Sequence, residues 1–186
     1  RAAIDAVKEK KHTPEHEAKL FALDRLDHGL NWMLPRLSKG SVVVCDRNIH
    51  SSLVYQGIVG GLGTKNVGLL NSGALIPDLC VWVDCDPEIA IMRIRSGSLR
   101  EASPHKSEYF ETLEIQKKIR SGYEVVLSGQ SPTGTSFDTV RVVGPIRNES
   151  TVERFSNEVA QEVRKFLRLR PKPRNTYVHD VDLELI

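Results

Sequence analysis

The chain has 186 residues, enough for one compact domain with a substantial buried core. Charged residues make up 27% and hydrophobic ones 40%, and the formal net charge is +2, an ordinary globular balance that fits a phosphate-binding enzyme and many unrelated proteins alike. There is no run of roughly 18 apolar residues, so neither a membrane span nor a secretory leader is expected. The three cysteines, Cys45, Cys80 and Cys85, lack metal-ligand spacing and read as small buried hydrophobes in a reducing cytosol.

Residues 2–11 suit a helix, and the chain begins with Arg1 rather than methionine, so a sequence that starts partway through a longer protein is expected. A second helix is predicted over 14–34. Thr13 is placed to cap it, Pro14 suits its first position, and Glu15 and Glu17 favour the positive helix end. Leu20, Leu23, Leu26, Leu30 and Leu34 recur at helical spacing and predict a core-facing stripe, with Pro35 and Gly40 ending the helix. Ser41-Val-Val-Val-Cys45 reads as a buried parallel strand that ends in Asp46-Arg47. A polar, helix-compatible stretch follows, then a turning passage with Gly57, Gly60, Gly61 and Gly63.

Pro77-Asp78 leads into a second buried strand, Leu79-Cys-Val-Trp-Val-Asp84, and Asp86-Pro87-Glu88 opens a helix running to about Arg95. Residues 96–107 are polar and basic and read as a mobile loop. A helix at 108–127, a Ser/Gly/Thr-rich loop and a third strand at 138–143 follow. Thr151 is placed to cap a last amphipathic helix carrying Val152, Phe155, Val159, Val163 and Phe166. Strands alternating with helices predict an α/β domain with a parallel sheet, and no internal repeat is present. The expected organisation is one domain over 1–170, with a lid at about 94–108, and a C-terminal tail at 171–186.

Ligands of open α/β sheets bind beyond the carboxyl ends of strands, where Asp46 and Arg47 are delivered together. An Arg there can fork two hydrogen bonds onto a phosphate, and the Asp can orient it or hold magnesium-bound water. The same dipeptide also fits an Asp helix cap beside a solvated Arg. Phe21 and Arg25 lie four residues apart on one helix face, where a ring can stack on a nucleobase and a guanidinium can read its carbonyl. Alone, Phe21 fits a core position, and Arg25 fits a pair with Asp24 or solvent. Arg93, Arg95, Arg100, His105 and Lys106 form a basic segment able to close over transferring phosphates, or simply to be a solvated loop.

Together these segments resemble the thymidylate kinase family. Leu20-Phe-Ala-Leu-Asp-Arg25 looks like its base-binding helix, and Val44-Cys-Asp-Arg-Asn-Ile-His-Ser-Ser-Leu-Val-Tyr-Gln-Gly57 resembles its D-R-Y/H and S-x-x-A-Y-Q-G strand-end segment. Pro77-Asp-Leu-Cys-Val-Trp-Val-Asp-Cys-Asp-Pro-Glu88 is similar to its P-D-L…L-D-V-D-P-E passage, and the resemblance covers about residues 1–168. It implies a P-loop nucleoside-monophosphate-kinase-like sheet with flanking helices, and phosphoryl transfer from ATP-Mg2+ to dTMP. By position, Phe21 would stack on thymine and Arg25 would bond its carbonyl edge. Ser52 and Gln56 would lie near the nucleoside, Tyr55 under the sugar, and Tyr123 in nucleotide contact. Arg47 would hold the acceptor phosphate with Asp46 near the magnesium or its waters, and Arg93, Arg95 and Arg100 would be lid residues. A cytoplasmic homodimer pairing through the helix at 14–34 is also implied.

Asn48 replaces the family's usual Tyr or His after Asp-Arg, which leaves the Asp and Arg roles intact. No G-x-x-x-x-G-K-[ST] loop is present, and Gly61-Leu-Gly-Thr-Lys65 lacks its spacing. In the family that loop follows the central strand of the sheet. The expectation is therefore a truncated sequence without the first two strands, in which 41–45 is separated from the other strands and its apolar faces are exposed. A deoxynucleoside kinase and a non-catalytic nucleotide-binding relative are the alternatives. Nucleic acid is not an expected partner, because Asp180, Asp182 and Glu184 dilute the basic cluster at 164–174 and aromatic interleaving is sparse.

Overall fold

In the computed structural model residues 13–96 and 112–169 are described. The expected helix at 2–11, most of the lid and the tail at 171–186 lie outside them. Thr13 caps helix α1 (Pro14–His28): its Oγ1 accepts from His16 N at 3.3 Å, and Pro14 takes the first position, where no amide donor is needed. The helix does not stop at 34. It continues through a π-helical turn, Gly29–Met33, into α2 (Leu34–Leu37), and the chain turns at Gly40, φ +80°. Pro35 is tolerated because it falls in the first turn of α2, after the wider π turn has shifted the hydrogen-bond ladder.

The leucine stripe is only partly buried: Leu20, Leu26 and Leu34 are half-buried, and the most deeply buried positions of the helix are small residues. Leu23 is 45% and Leu30 39% exposed, whereas Ala18, Ala22 and Gly29 are buried. Small residues let the helix backbone approach its neighbours, and a Cβ at Gly29 would lie 3.4 Å from Leu75 Cγ.

The expected strand at 41–45 does not form. Among the described residues it has no strand neighbour, and Val42 and Val44 are 67% and 88% exposed. Apolar, β-branched composition favours a strand, but a strand is completed only by hydrogen bonds to another one. Cys45 is exposed with it, which corrects the expectation of burial for that cysteine; Cys80 and Cys85 are half-buried, and all three are free thiols.

Helix α3 (Ile49–Ser52) starts where Asn48 Oδ1 accepts from Ile49 N at 2.8 Å, and it continues as a π-helical stretch, Leu53–Val59. The segment read as polar is in fact the centre of the molecule: Ile49 and Val54 are fully buried and Leu53 nearly so. Helix α4 (Thr64–Leu70), not foreseen in the sequence, packs beside it. Ile49, Leu53, Val67, Ala74 and Phe137 form the hydrophobic core, covered by Leu62, Ile76 and Val126.

Strand β1 (Leu79–Asp84) pairs in parallel with β2 (Arg141–Arg147). The third predicted strand therefore lies later than 138–143, because Ser136–Thr139 forms a 3-10 turn that drives Phe137 into the core. The register slips between Val81 and Val83 at the cis Gly144–Pro145 bond. Gly144 has φ +119°, and a Cβ there would lie 2.4 Å from Trp82 O, so glycine is required.

Asp86 opens helix α5 (Pro87–Arg95), its Oδ1 accepting from Glu88 N at 2.8 Å. Helix α6 (Leu113–Leu127) is capped by Thr112, whose side chain accepts from Ile115 N, and the predicted residues 108–111 lie outside the described residues. Thr151 caps α7 (Val152–Leu169) through Arg154 N at 3.3 Å. Phe155, Val159, Val163 and Phe166 are half-buried on it, but Val152 stays 80% exposed.

Candidate functional site

Arg47 follows the unpaired 41–45 segment in a left-handed conformation, φ +65°, which is uncommon for a residue with a side chain. Its side chain is held on two sides. Nε donates to Ser51 Oγ at 3.3 Å, and the guanidinium carbon lies 4.2 Å from the centre of the Tyr55 ring. Ser51 Oγ also shares a 2.7 Å hydrogen bond with the Tyr123 hydroxyl of α6, and the two tyrosine rings meet edge to face at 6.5 Å. Burial pushes the Tyr123 pKa up, partly offset by the Ser51 bond and the Arg47 charge, so the phenol is protonated at neutral pH. Among the described residues the two Nη groups of Arg47 have no hydrogen-bond partner and remain a fork for an anion.

One residue further along α3, Ser52 Oγ accepts from Arg25 Nη2 at 2.7 Å. Arg25 Nη1 donates to Asn71 Oδ1, and Asn71 Nδ2 donates to Val67 O at 2.7 Å. Arg25 is thus held by two neutral acceptors rather than by a hydrogen bond to Asp24. Burial lowers its pKa to about 10, against the opposing charge of neighbouring Asp24, so it remains a cation at neutral pH. Phe21, one turn earlier on α1, is half-buried. Consecutive serines therefore hold one arginine each, and α1, α3 and α6 converge on them.

The other predicted residues are placed less centrally. Asp46 is exposed beside Arg47, and Gln56 is half-buried in the π stretch, its backbone carbonyl accepting from Leu62 N at 3.2 Å. Arg93 Nη1 donates to Asn148 O at 2.6 Å and lies 3.8 Å from Cys85 Sγ. Arg95 ends α5, and Arg100, His105 and Lys106 lie outside the described residues.

A cavity of about 440 Å³ opens where β1 and β2 end, lined by Asp84, Asp86, Lys117, Arg120 and Arg147 among others, and it includes none of the predicted residues. Its two arginines are matched by a carboxylate: Arg120 and Arg147 both bind Asp84, at 2.8 and 2.6 Å. Among the described residues no three metal-ligating side chains gather, and no helix is long and apolar enough to cross a membrane.

Sequence reasoning missed Asn71 and the bridging role of Ser51. Asn71 carries no local signal, because a polar residue after Gly68-Leu69-Leu70 fits a solvated helix end as well as a buried one.

A family model described as thymidylate kinase matches residues 1–138. The thymidylate kinase of Shouchella clausii is 32% identical over 140 residues, covering 74% of this chain and 64% of the relative. That of Geobacillus thermodenitrificans is 42% identical over 110 residues, covering 58% and 48%. That of Staphylococcus epidermidis is 40% identical over 115 residues, covering 60% and 55%. In these comparisons the chain spans 48% to 64% of the length of the curated relatives it matches.

Proposed function

This chain belongs to the thymidylate kinase family, a family of P-loop nucleoside monophosphate kinases, and on that premise we propose that it forms the acceptor side of an enzyme transferring a phosphoryl group from ATP to dTMP. The observation that carries this reading is the serine pair. Ser51 holds Arg47 and Ser52 holds Arg25, so one turn of helix presents two cations. A nucleoside monophosphate needs two such anchors, one for a base carbonyl and one for the phosphate.

In this reading Phe21 stacks on thymine, Arg25 bonds its carbonyl, and Ser52 and Gln56 border the nucleoside. Tyr55 lies under the sugar, and Tyr123 braces the site through Ser51. Arg47 binds the acceptor phosphate with its free Nη fork and aligns an acceptor oxygen for attack on the γ-phosphorus; no side-chain nucleophile is required. Arg93, Arg95 and Arg100 are the lid cations for the phosphates, and Arg93 Nη1 also donates to the Asn148 carbonyl. Magnesium, when bound, neutralises charge on the transferring phosphates. Asp46, exposed next to Arg47 in the chain, would hold its waters, a modest protein contribution that suits this ion. Donor binding belongs to a phosphate loop that this sequence does not contain. The unpaired 41–45 segment and the two-stranded sheet suit a central strand between them. Exposed Leu23, Leu30 and Trp32 suit pairing with a second copy.

The test compares acceptors. With ATP-Mg2+, the enzyme is expected to convert dTMP to dTDP and to leave thymidine unphosphorylated; phosphorylation of thymidine but not dTMP sinks the reading. By calorimetry, Arg47→Met is expected to weaken dTMP about tenfold or more while leaving thymidine affinity unchanged.

A further inference from the structure

Arg25 lies in a part-buried setting with an incomplete set of partners. Among the described residues no carboxylate is within ion-pair distance of it; its bonds go to an amide oxygen and a hydroxyl, both neutral. Neutral acceptors orient a guanidinium without cancelling its charge. Of the two, Asn71 is the more constrained. It is 3% exposed and terminates α4, and its Nδ2 is committed to the Val67 carbonyl at 2.7 Å. Because only the amide nitrogen can donate to that carbonyl, the amide oxygen must face Arg25. The orientation of Asn71 is thus set by α4, and the orientation of Arg25 by Asn71.

We infer that Asn71 is a positioning and specificity-determining residue: it fixes the Arg25 guanidinium and, by being neutral, leaves its positive charge for a carbonyl oxygen of the bound base. The inference rests on the acceptor-site reading above. An Asp at this position would be nearly the same size and would still accept from Arg25. It would neutralise the guanidinium, and it would face the Val67 carbonyl without a donor. A site neutralised in this way discriminates less between a base that offers a carbonyl there and one that offers an amino group.

The experiment measures dTMP and dCMP affinity by calorimetry for the unsubstituted protein, Asn71→Asp and Asn71→Ala, with thermal unfolding as a control for folding. In parallel, side-chain 15N spectra of the ligand-free proteins report the Arg25 Nη protons, assigned with Arg25→Lys. Both Asn71 variants are expected to bind dTMP about tenfold more weakly or worse, with a narrower dTMP-to-dCMP preference for Asn71→Asp. Slowly exchanging Arg25 Nη signals should be lost in Asn71→Ala. Unchanged dTMP affinity and preference in a folded Asn71→Asp overturn the inference, since a purely structural Asn would allow that result. If Asn71→Asp does not fold, Asn71→Ala decides on the same affinity and spectral criteria. If the unsubstituted protein binds no dTMP, the acceptor reading falls separately. The spectra then decide the positioning role: persistent Nη signals in Asn71→Ala overturn it, and their loss supports it.

Discussion

Replacing Asp84 by Asn is expected to destabilise the fold by about 2–3 kcal/mol. Asp84 ends β1 and is 6% exposed; its Oδ1 accepts from Arg120 Nε and its Oδ2 from Arg120 Nη2, both at 2.8 Å. Oδ2 also lies 2.6 Å from Arg147 Nη1. The carboxylate thereby ties α6 to both strands. Asn keeps the volume but removes the charge, and its NH2 group points a donor at a guanidinium. A hydrogen bond to a charged group contributes about 1.5–3 kcal/mol net, and breaking a fully buried pair costs about 3–5 kcal/mol. The arginine side chains are 33% and 55% exposed, so water compensates part of their loss, and the lower figure applies. Arg120→Ala leaves Arg147 on Asp84 and should cost less, about 1–2 kcal/mol. Urea unfolding followed by circular dichroism measures each value, and the double variant should show coupling of about 1 kcal/mol. A loss below about 0.5 kcal/mol for Asp84→Asn, or complete additivity with Arg120→Ala, refutes the idea that this carboxylate joins helix to sheet.

Burial holds the His50 pKa below its usual 6.5, so the unfolded chain binds a proton that the folded chain refuses. Stability should therefore fall as pH drops below about 6.5 and level off once folded His50 also protonates; His50→Gln should flatten that part of a pH series of urea midpoints, and an unchanged slope counts against it. A Cβ at Gly122 would lie 2.9 Å from Val54 Cγ1, so Gly122→Ala is expected to lose about 1–3 kcal/mol by overpacking. Val54→Ala should recover part of that loss in unfolding experiments; strict additivity of the two changes would place the clash elsewhere. Cys45 is exposed, whereas burial pushes the Cys80 thiol up to about 11. Iodoacetamide at neutral pH should alkylate Cys45 first and leave Cys80 unmodified, and equal rates by mass spectrometry would contradict the packing.

The features legible in the sequence were those set by local chemistry. Thr13, Asp86 and Thr151 cap helices as read, because a side-chain oxygen next to free amides needs no distant partner. The strand at 41–45 failed for the opposite reason, since five suitable residues still require a neighbour to hydrogen-bond. Helix α4 was hidden because its glycine-containing sequence resembles a turn while its stability comes from burying Val67 and Gly68. At the site, Arg25, Arg47, Ser52, Tyr55 and Tyr123 were all named, and the structure brings them together. Their connections were not legible. Asn71 stands 46 positions from Arg25, and Tyr123 stands 72 from Ser51, so no local pattern could join them.

The serine–arginine cluster and the sheet differ in where their order comes from. Ser51 and Ser52 are preceded by Ile49 and followed by Leu53 and Val54, all buried at 2% exposure or less. The two serines are thus clamped along the chain by core packing that the described residues supply themselves. Interior packing tolerates little displacement, so the hydroxyls that hold Arg25 and Arg47 inherit the precision of the core. The segment just upstream has no such support, with Val42 and Val44 open to solvent and Arg47 turning at φ +65° between the two regimes. Its side chain is nevertheless gripped by Ser51 and Tyr55, both on the core-packed side. The Arg47 guanidinium is therefore fixed from the helix and not from the strand end that first drew attention to it.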